Sequence, residues 1–359
     1  MARLVIQKED ILHNYRLICA QTESLVIPVL KANGYGLGAE GLFEILREEG
    51  VALMAVSRLE EALPLCGRGV EILVLSCGRS PAYAKAVLEA GVSVAIDDPA
   101  FAAALSRLAE EAGRQVPVHL KIDTGMGRFG FPPEALEEIA GIFALPGLKV
   151  TGIFSHCYGA FLNNGSAERQ LERFLSVCDL LAQRGIAPPM RHIANSCACL
   201  KNASFALDAV RIGSALTGRL PMKTALPFRR AGRFEAEILA IRRLPKGSNL
   251  GYGGVCRLKR DARVAIVAAG TADGLLRGRE PDLFRLRDKC RYLYHDLKLF
   301  FRRPVTYGRV GEARAPMIGR AATSHSFFDV TDIPCREGDY MELDVAPLRV
   351  DATVERIYE

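Results

Sequence analysis

From residue 25 to about 218 the chain alternates between two hydrophobic rhythms. Short runs rich in Val, Ile and Leu come first in each repeat: SLVIPVLKA, ALMAVS, EILVLS, SVAIDD, VPVHLKID, KVTGIFSHC, MRHIANS and DAVRIGSAL. Between most of them lie longer stretches, such as AEGLFEILREEG, AYAKAVLEAG and AERQLERFLSVCDLLAQRG, in which apolar residues recur every three or four positions. Near-continuous apolar runs predict strands buried on both faces, and the longer period predicts amphipathic helices. Eight such strands with helical crossovers predict a closed (β/α)8 barrel. An open doubly wound sheet is the alternative, and against it no G-x-G-x-x-G follows the first strand. After about residue 222 the helical rhythm stops. FEAEILAIRRL, ARVAIVAAG and MELDVAPLRVDATVERIYE read as strands joined by Gly and Pro turns, a separate and mostly β C-terminal domain. The expected division is a barrel over 8–222 and a β domain over 223–359, joined by the N-terminal strand 1–7.

One segment interrupts that domain. DLFRLRDKCRYLYHDLKLFFRR, residues 282–303, is basic, aromatic and helix-like. Its plain reading is a surface helix packed by its Leu and Phe side; its sharper reading is a helix for a membrane surface or a partner.

Composition narrows the class. Apolar residues make up 49% of the 359 and charged residues 25%, a globular balance. The formal charge of +6 comes without a long basic run, which argues against nucleic acid and suits a small anionic ligand. No apolar run is long enough to span a bilayer, and MARLVIQKED has no signal-peptide core, so a cytoplasmic location is expected. The ten cysteines are scattered singly apart from Cys197 and Cys199, which reads as reduced, buried thiols. With no C-x2-C pair and no cluster among the six histidines, no metal site is expected.

In such a barrel chemistry sits at the C-terminal strand ends. Lys31 ends the first run, and three glycines follow it in KANGYGLG. Lys121 ends the fifth, with Arg128 just beyond; His156 ends the sixth. His192, Asn195 and Ser196 close the seventh, and Arg211, Gly213 and Ser214 the eighth. The last two loops are the usual phosphate seat of these barrels. A lysine facing a phosphate seat, with a third group to set the charge on a pyridine nitrogen, is what pyridoxal 5′-phosphate (PLP) requires.

VLKANGYGLG, MAVSRLEEALPL, VHLKIDTGMGRFGF, ANS, VRIGSALTG, LGYGG, ADG and MIGR, in that order, resemble the alanine racemase family, PLP enzymes of the barrel type. The resemblance implies racemisation of a small amino acid, most simply alanine, with serine or a broader set close behind. It implies that Lys31 carries PLP and is the base on one face of the substrate, and that Tyr252 of a second subunit is the base on the other. The active unit would then be a homodimer with shared sites. Tyr35, His156, Asn195, Ser196, Arg211, Gly213 and Ser214 would join Lys31 in holding the cofactor, with Arg211 facing the pyridine nitrogen. Arg128 and Thr323 would hold the substrate; Lys121, carbamylated in some relatives, and His192 would support them. Arginine cannot give a proton to the pyridine nitrogen, which weakens the electron sink and favours fast proton exchange over decarboxylation or aldol cleavage. A PLP-binding protein without turnover is the other alternative, and Tyr252 argues against it. The chain departs from the family with Thr271 and Thr217 for tyrosines and with Thr323 and Ser324 for Met-Asp, and it lacks the closing Tyr-Arg-Val-Pro-Arg segment. These changes predict a wider and more polar substrate pocket.

Overall fold

The computed structural model describes residues 1–254, 256–278, 286–301 and 305–359. It divides into two compact units. Met1–Ile6, containing β1 (Ala2–Ile6), joins Gly232–Glu359 in one, and Gln7–Ala231 forms the other.

The Gln7–Ala231 unit runs α1 (Lys8–Cys19), β2 (Leu25–Pro28), α2 (Lys31–Tyr35), α3 (Ala39–Glu48), β3 (Leu53–Val56), α4 (Leu59–Ala62), β4 (Glu71–Val74), α5 (Pro81–Ala90), β5 (Ser93–Ile96) and α6 (Pro99–Glu111). It continues with β6 (Val116–Lys121), α7 (Leu136–Ile142), β7 (Leu148–Phe154), α8 (Ser166–Gln183), β8 (Arg191–His192), α9 (Ser196–Lys201) and β9 (Ala209–Ile212). The strands are parallel in the order β2-β9-β8-β7-β6-β5-β4-β3. A parallel bridge between Val29 and Ala55 links the two ends of that order and closes the barrel. The closure needs strands without a polar face, and LMAV of β3 and SVAI of β5 are buried at every position.

Local signals set the helix ends. Ser80 and Asp98 accept hydrogen bonds from the backbone N–H of Tyr83 (3.1 Å) and Phe101 (2.7 Å), each just ahead of a proline that cannot donate one. Residues 223–231, expected in the β domain, lie with the barrel unit. Buried Asn14 explains why: its Nδ2 donates to the carbonyls of Leu216 (3.0 Å) and Arg229 (2.7 Å), and its Oδ1 accepts from Arg229 N–H (2.8 Å).

The other unit is mostly antiparallel: β10 (Arg233–Leu244), β11 (Asn249–Leu250), β12 (Cys256–Arg257), β13 (Ala262–Val267), α10 (Leu286–Phe301), β14 (Tyr307–Val310), β15 (Ala313–Pro316), β16 (Ser326–Asp329), β17 (Tyr340–Leu343) and β18 (Glu355–Tyr358). Its main sheet runs β15-β14-β17-β10-β1-β18, with β13 and β16 branching from β10. Among the described residues, only β1 and β18 pair in parallel there, Arg3 opposite Glu355 through Ile6 opposite Tyr358. The long β10 serves both branches. Of the basic segment, residues 282–285 and 302–303 lie outside the described residues. α10, which forms the rest, does not pack by its Leu and Phe side: Leu286, Leu293, Leu297, Phe300 and Phe301 are all exposed. All ten cysteines are free thiols. Among the described residues no helix is long and apolar enough to cross a membrane.

Candidate active site

The strand carrying Lys31 is shorter than its apolar run. Ladder pairing of β2 stops at Pro28, and Lys31 opens a tight turn instead of ending the strand. Ala32, Asn33, Gly34 and Tyr35 all lie in the left-handed region, with φ of 52, 52, 62 and 55°. Non-glycine residues there cost about 1–2 kcal/mol each, so the turn has to be held from outside. Asn33 Oδ1 accepts from Ala39 N–H (2.8 Å). Glu61, in α4, clamps three backbone N–H groups: Ala32 (2.7 Å), Ser57 (2.9 Å) and Arg58 (3.1 Å). A glycine eases position 34, where φ is 62° and an added Cβ would press on Leu42 Cδ1 at 2.8 Å and on Ala39 N at 3.2 Å.

The turn opens on a cavity of about 250 Å³ lined by Lys31, Tyr35, His156, Asn195, Ser196, Arg211, Gly213 and Ser214 among others. Eight of the residues singled out from sequence thus share one cavity. Lys31 makes no hydrogen bond or ion pair among the described residues, and its Nζ stands 5.6 Å from the centre of the Tyr35 ring. Burial, then the charge of Arg128, holds its pKa below that of a free lysine; Glu61 opposes them and Arg211 adds to them. On the far wall, Ser196 Oγ accepts from the N–H groups of Gly213 (3.2 Å) and Ala215 (3.3 Å). Asn195 caps α9, accepting from Cys197 and Ala198 N–H at 3.1 Å each. A Cβ on Gly213 would fall 2.1 Å from the Tyr35 hydroxyl, so this glycine makes room for it. Burial raises that phenol to about 12, which keeps it a neutral donor.

Arg211, 3% exposed, has no carboxylate partner among the described residues. Its Nη2 donates to Ser155 O (2.6 Å) and lies 3.4 Å from His156 Nδ1, while Nη1 meets His192 Nδ1 at 2.6 Å. An arginine only donates, so His192 Nδ1 must accept and its proton sits on Nε2. That proton goes to His119 Nδ1, 2.8 Å away, and fixes the second ring's tautomer in turn. His119 carries no sequence signal apart from its place in a buried strand. Gly152 on the neighbouring strand makes space for it: a Cβ there would lie 2.5 Å from His119 Nδ1 and 3.0 Å from Met190 O. Gly152→Ala is therefore expected to destabilise the barrel by about 1–3 kcal/mol, read as a lower urea midpoint at an unchanged m-value. Unaltered stability would mean the ring has somewhere else to go.

The same chain sets an acid limit. Burial, then the nearby Arg211 charge, lowers His119 to about 3 and His192 well below its ordinary value. The unfolded chain protonates His119 near 6.5 and the fold refuses that proton until about 3, with His192 shifted in the same direction, so the contribution to stability is full above pH 6.5 and lost as pH falls through that window. The Tm of the wild type is expected to fall across it more steeply than that of His119→Asn. Parallel curves for the two would contradict the assignment.

Arg128, Lys121 and His192 stand outside the cavity wall. Lys121 donates to Leu75 O (3.1 Å), and burial, the largest influence, lowers its amine to about 8. Arg128 rides on a loop organised by Asp123, whose Oδ1 accepts from Gly125, Met126 and Gly127 N–H at 2.9, 2.8 and 3.1 Å. His156 sits just past β7 and is not its last residue. Tyr252 and Thr323 belong to the other unit. Tyr252 is 80% exposed in the turn Tyr252–Gly254, and Thr323 is exposed, its carbonyl accepting from Ala272 N–H (2.9 Å).

Residues 6–221 match the family model for the alanine racemase N-terminal domain and residues 231–357 that for its C-terminal domain. The chain belongs to the alanine racemase family. Alanine racemase 2 of Caldanaerobacter subterraneus subsp. tengcongensis is 34% identical over 284 residues, 77% of this chain and 73% of the relative. The alanine racemase of Desulforamulus reducens is 35% identical over 279 residues, 75% of each chain. Among solved structures, alanine racemase from Clostridium difficile 630 superposes with a TM-score of 0.87 at 22% identity, covering 100% of this chain and 95% of that one. Alanine racemase from Bartonella henselae, solved with covalently bound pyridoxal phosphate, gives 0.79 at 24% identity, covering 100% and 99%. The chain is accordingly an isomerase of the amino-acid racemase class, and the family's cofactor is PLP.

The residues present fit that cofactor. The wall offers an amine of lowered pKa with no hydrogen bond or ion pair among the described residues, backbone N–H groups gathered at Ser196, a neutral phenol beside Gly213, and a buried cation for a ring nitrogen.

Proposed function

We propose that this enzyme interconverts the L and D forms of a small amino acid, alanine first, by moving the α-proton between Lys31 on one face and Tyr252 of a second copy on the other. The observation that carries the reading is Lys31: an amine with no hydrogen bond or ion pair among the described residues, held by a strained turn at the wall of the cavity that also holds Ser196, Gly213 and Tyr35. Bound there, PLP supplies the electron sink that makes the α-proton acidic. Lys31 would hold the cofactor covalently, and Nζ would take or return the proton on its face. Its lowered pKa supports both tasks, since each needs a neutral amine. Ser196, Tyr35 and the Gly213 N–H would bind the phosphate. Arg211 stays protonated, at about 10, and would donate toward the pyridine nitrogen without surrendering a proton. This limits side reactions that need a strong sink and leaves proton exchange as the outcome.

A homodimer with shared sites is part of the reading. The exposure of Tyr252 in a single chain supports it, because an aromatic hydroxyl reserved for another subunit has to stand clear of its own. Lys121, lowered to about 8 near Arg128 and Arg211, would be the carbamylation point; a carbon-13 signal from labelled bicarbonate, lost in Lys121→Ala, would report it.

The test is α-proton exchange. Purified PLP-loaded enzyme is incubated with L-alanine in D2O; loss of the α-proton by NMR and growth of the D form by chiral chromatography are expected together. Exchange with no amino acid of a broad panel would overturn the reading. Thr271, Thr323 and Ser324 stand where the family carries larger or acidic side chains, and one methylene discriminates by only about 1–3 kcal/mol. L-Serine is therefore expected to react with kcat/KM within about a hundredfold of L-alanine. A larger preference for alanine would show the lost bulk to be refilled.

A further inference from the structure

The helix α10 turns its apolar side away from the protein. At 3.6 residues per turn, Leu286, Leu293, Tyr294, Leu297, Phe300 and Phe301 share one face about 120° wide, with Cys290 among them. All are exposed: Leu286 76%, Phe300 84% and Phe301 79%. What burial the helix has is on the opposite side, at Asp288, 4% exposed and paired with Arg291 at 3.1 Å, and partly at Tyr292. A soluble surface helix has the reverse arrangement. One rim of the apolar face is cationic, with Arg287 and Lys298; the other carries Lys289 beside Asp296.

We propose that α10 is a docking surface for an anionic phospholipid bilayer, lying in the plane of the headgroups with Leu293, Leu297, Phe300 and Phe301 below them. The charge pattern selects this occupant. Arg287 and Lys298 on one edge, and Lys289 on the other, can extend up to phosphates while the apolar face enters the acyl boundary. A second copy of the same helix would bring together two segments that each carry four cations, Arg287, Lys289, Arg291 and Lys298, against two acids, Asp288 and Asp296. The helix lies flat and does not span, in keeping with its 16 residues.

The test uses the full-length PLP-loaded enzyme. The chain contains no tryptophan, so Phe301→Trp places a single fluorescent reporter on the face. Vesicles of phosphatidylcholine containing phosphatidylglycerol should shift its emission to the blue and sediment with the protein. Vesicles of phosphatidylcholine alone should do neither, and high salt should reverse the effect. Leu293→Ser/Phe300→Ser should weaken vesicle binding by about tenfold or more while racemase activity in solution is retained. Three results would each overturn the proposal: no response to anionic vesicles; equal binding by the double variant; or a change of oligomeric state in the double variant without vesicles, which would give the face to a second copy.

Discussion

Lys31→Ala is expected to lower kcat by roughly 10⁴-fold or more, the largest loss from any single substitution in this chain. The residue has two tasks in the proposed reaction, holding the cofactor and moving a proton, and neither can be taken over by alanine. The expectation is clean because the side chain has no structural duty to confound it: it makes no hydrogen bond or ion pair among the described residues, and the strained turn is held by Glu61 and Asn33 instead. Freed of cofactor, the variant and the wild type should share one unfolding midpoint. In the wild type, borohydride reduction followed by denaturation and peptide mapping should leave the PLP label on Lys31, and a small primary amine added to Lys31→Ala should restore part of the lost rate. A label on another lysine, or activity within tenfold of wild type, would remove Lys31 from the centre of the reaction. Glu61→Gln serves as the companion. It weakens the clamp on Ala32 and removes the charge that holds the Lys31 pKa up, so it should reduce kcat and stability together.

The contrast between Lys31 and Glu61 shows what a sequence reveals here. Lys31, Arg211 and the small residues after β8 and β9 stand out because chemistry-bearing side chains at the ends of buried strands break an apolar run. The barrel was legible for the same reason, as a two-rhythm alternation whose period is imposed by burial. Glu61 and His119 act through others, and their surroundings look ordinary: an acid near the start of a short helix reads as a cap, and a histidine in a buried strand reads as core. Only the distances to Ala32 N and His192 Nε2 separate these readings. Hydrophobicity continues through Leu30, past the end of β2, whereas the ladder depends on backbone geometry, which turns left-handed at Ala32. Residues 223–231 read as part of the β domain because the group that ties them to the barrel, Asn14, lies more than 200 positions away in sequence. The face that α10 turns outward could not be told from composition, since an amphipathic pattern fixes that a helix has two sides and is silent on which one meets solvent.

Tyr252→Phe is expected to cut α-proton removal from one enantiomer by about 10²–10⁴-fold while exchange with the other, through Lys31, persists. The substitution deletes one oxygen from an exposed side chain, so it leaves the fold without a cavity or an orphaned partner. A merely structural tyrosine would affect both enantiomers alike, and that symmetry is the result that would refute a two-base reaction. The same pair of variants tests whether sites are shared between subunits. If Lys31 of one copy works with Tyr252 of the other, a Lys31→Ala/Tyr252→Phe hybrid has one site carrying both changes and one carrying neither. Random reassociation of equal amounts makes half the dimers hybrid, each with one intact site of two, so activity should return to about a quarter of wild type. If both bases come from a single chain, each site of the hybrid keeps one defect and the mixture stays inactive however long it is exchanged. Hybrids must be shown to have formed, by mass tags on the two variants, before silence is read as evidence. Given that control, activity rising with the fraction of hybrid dimers distinguishes a composite site from two independent ones.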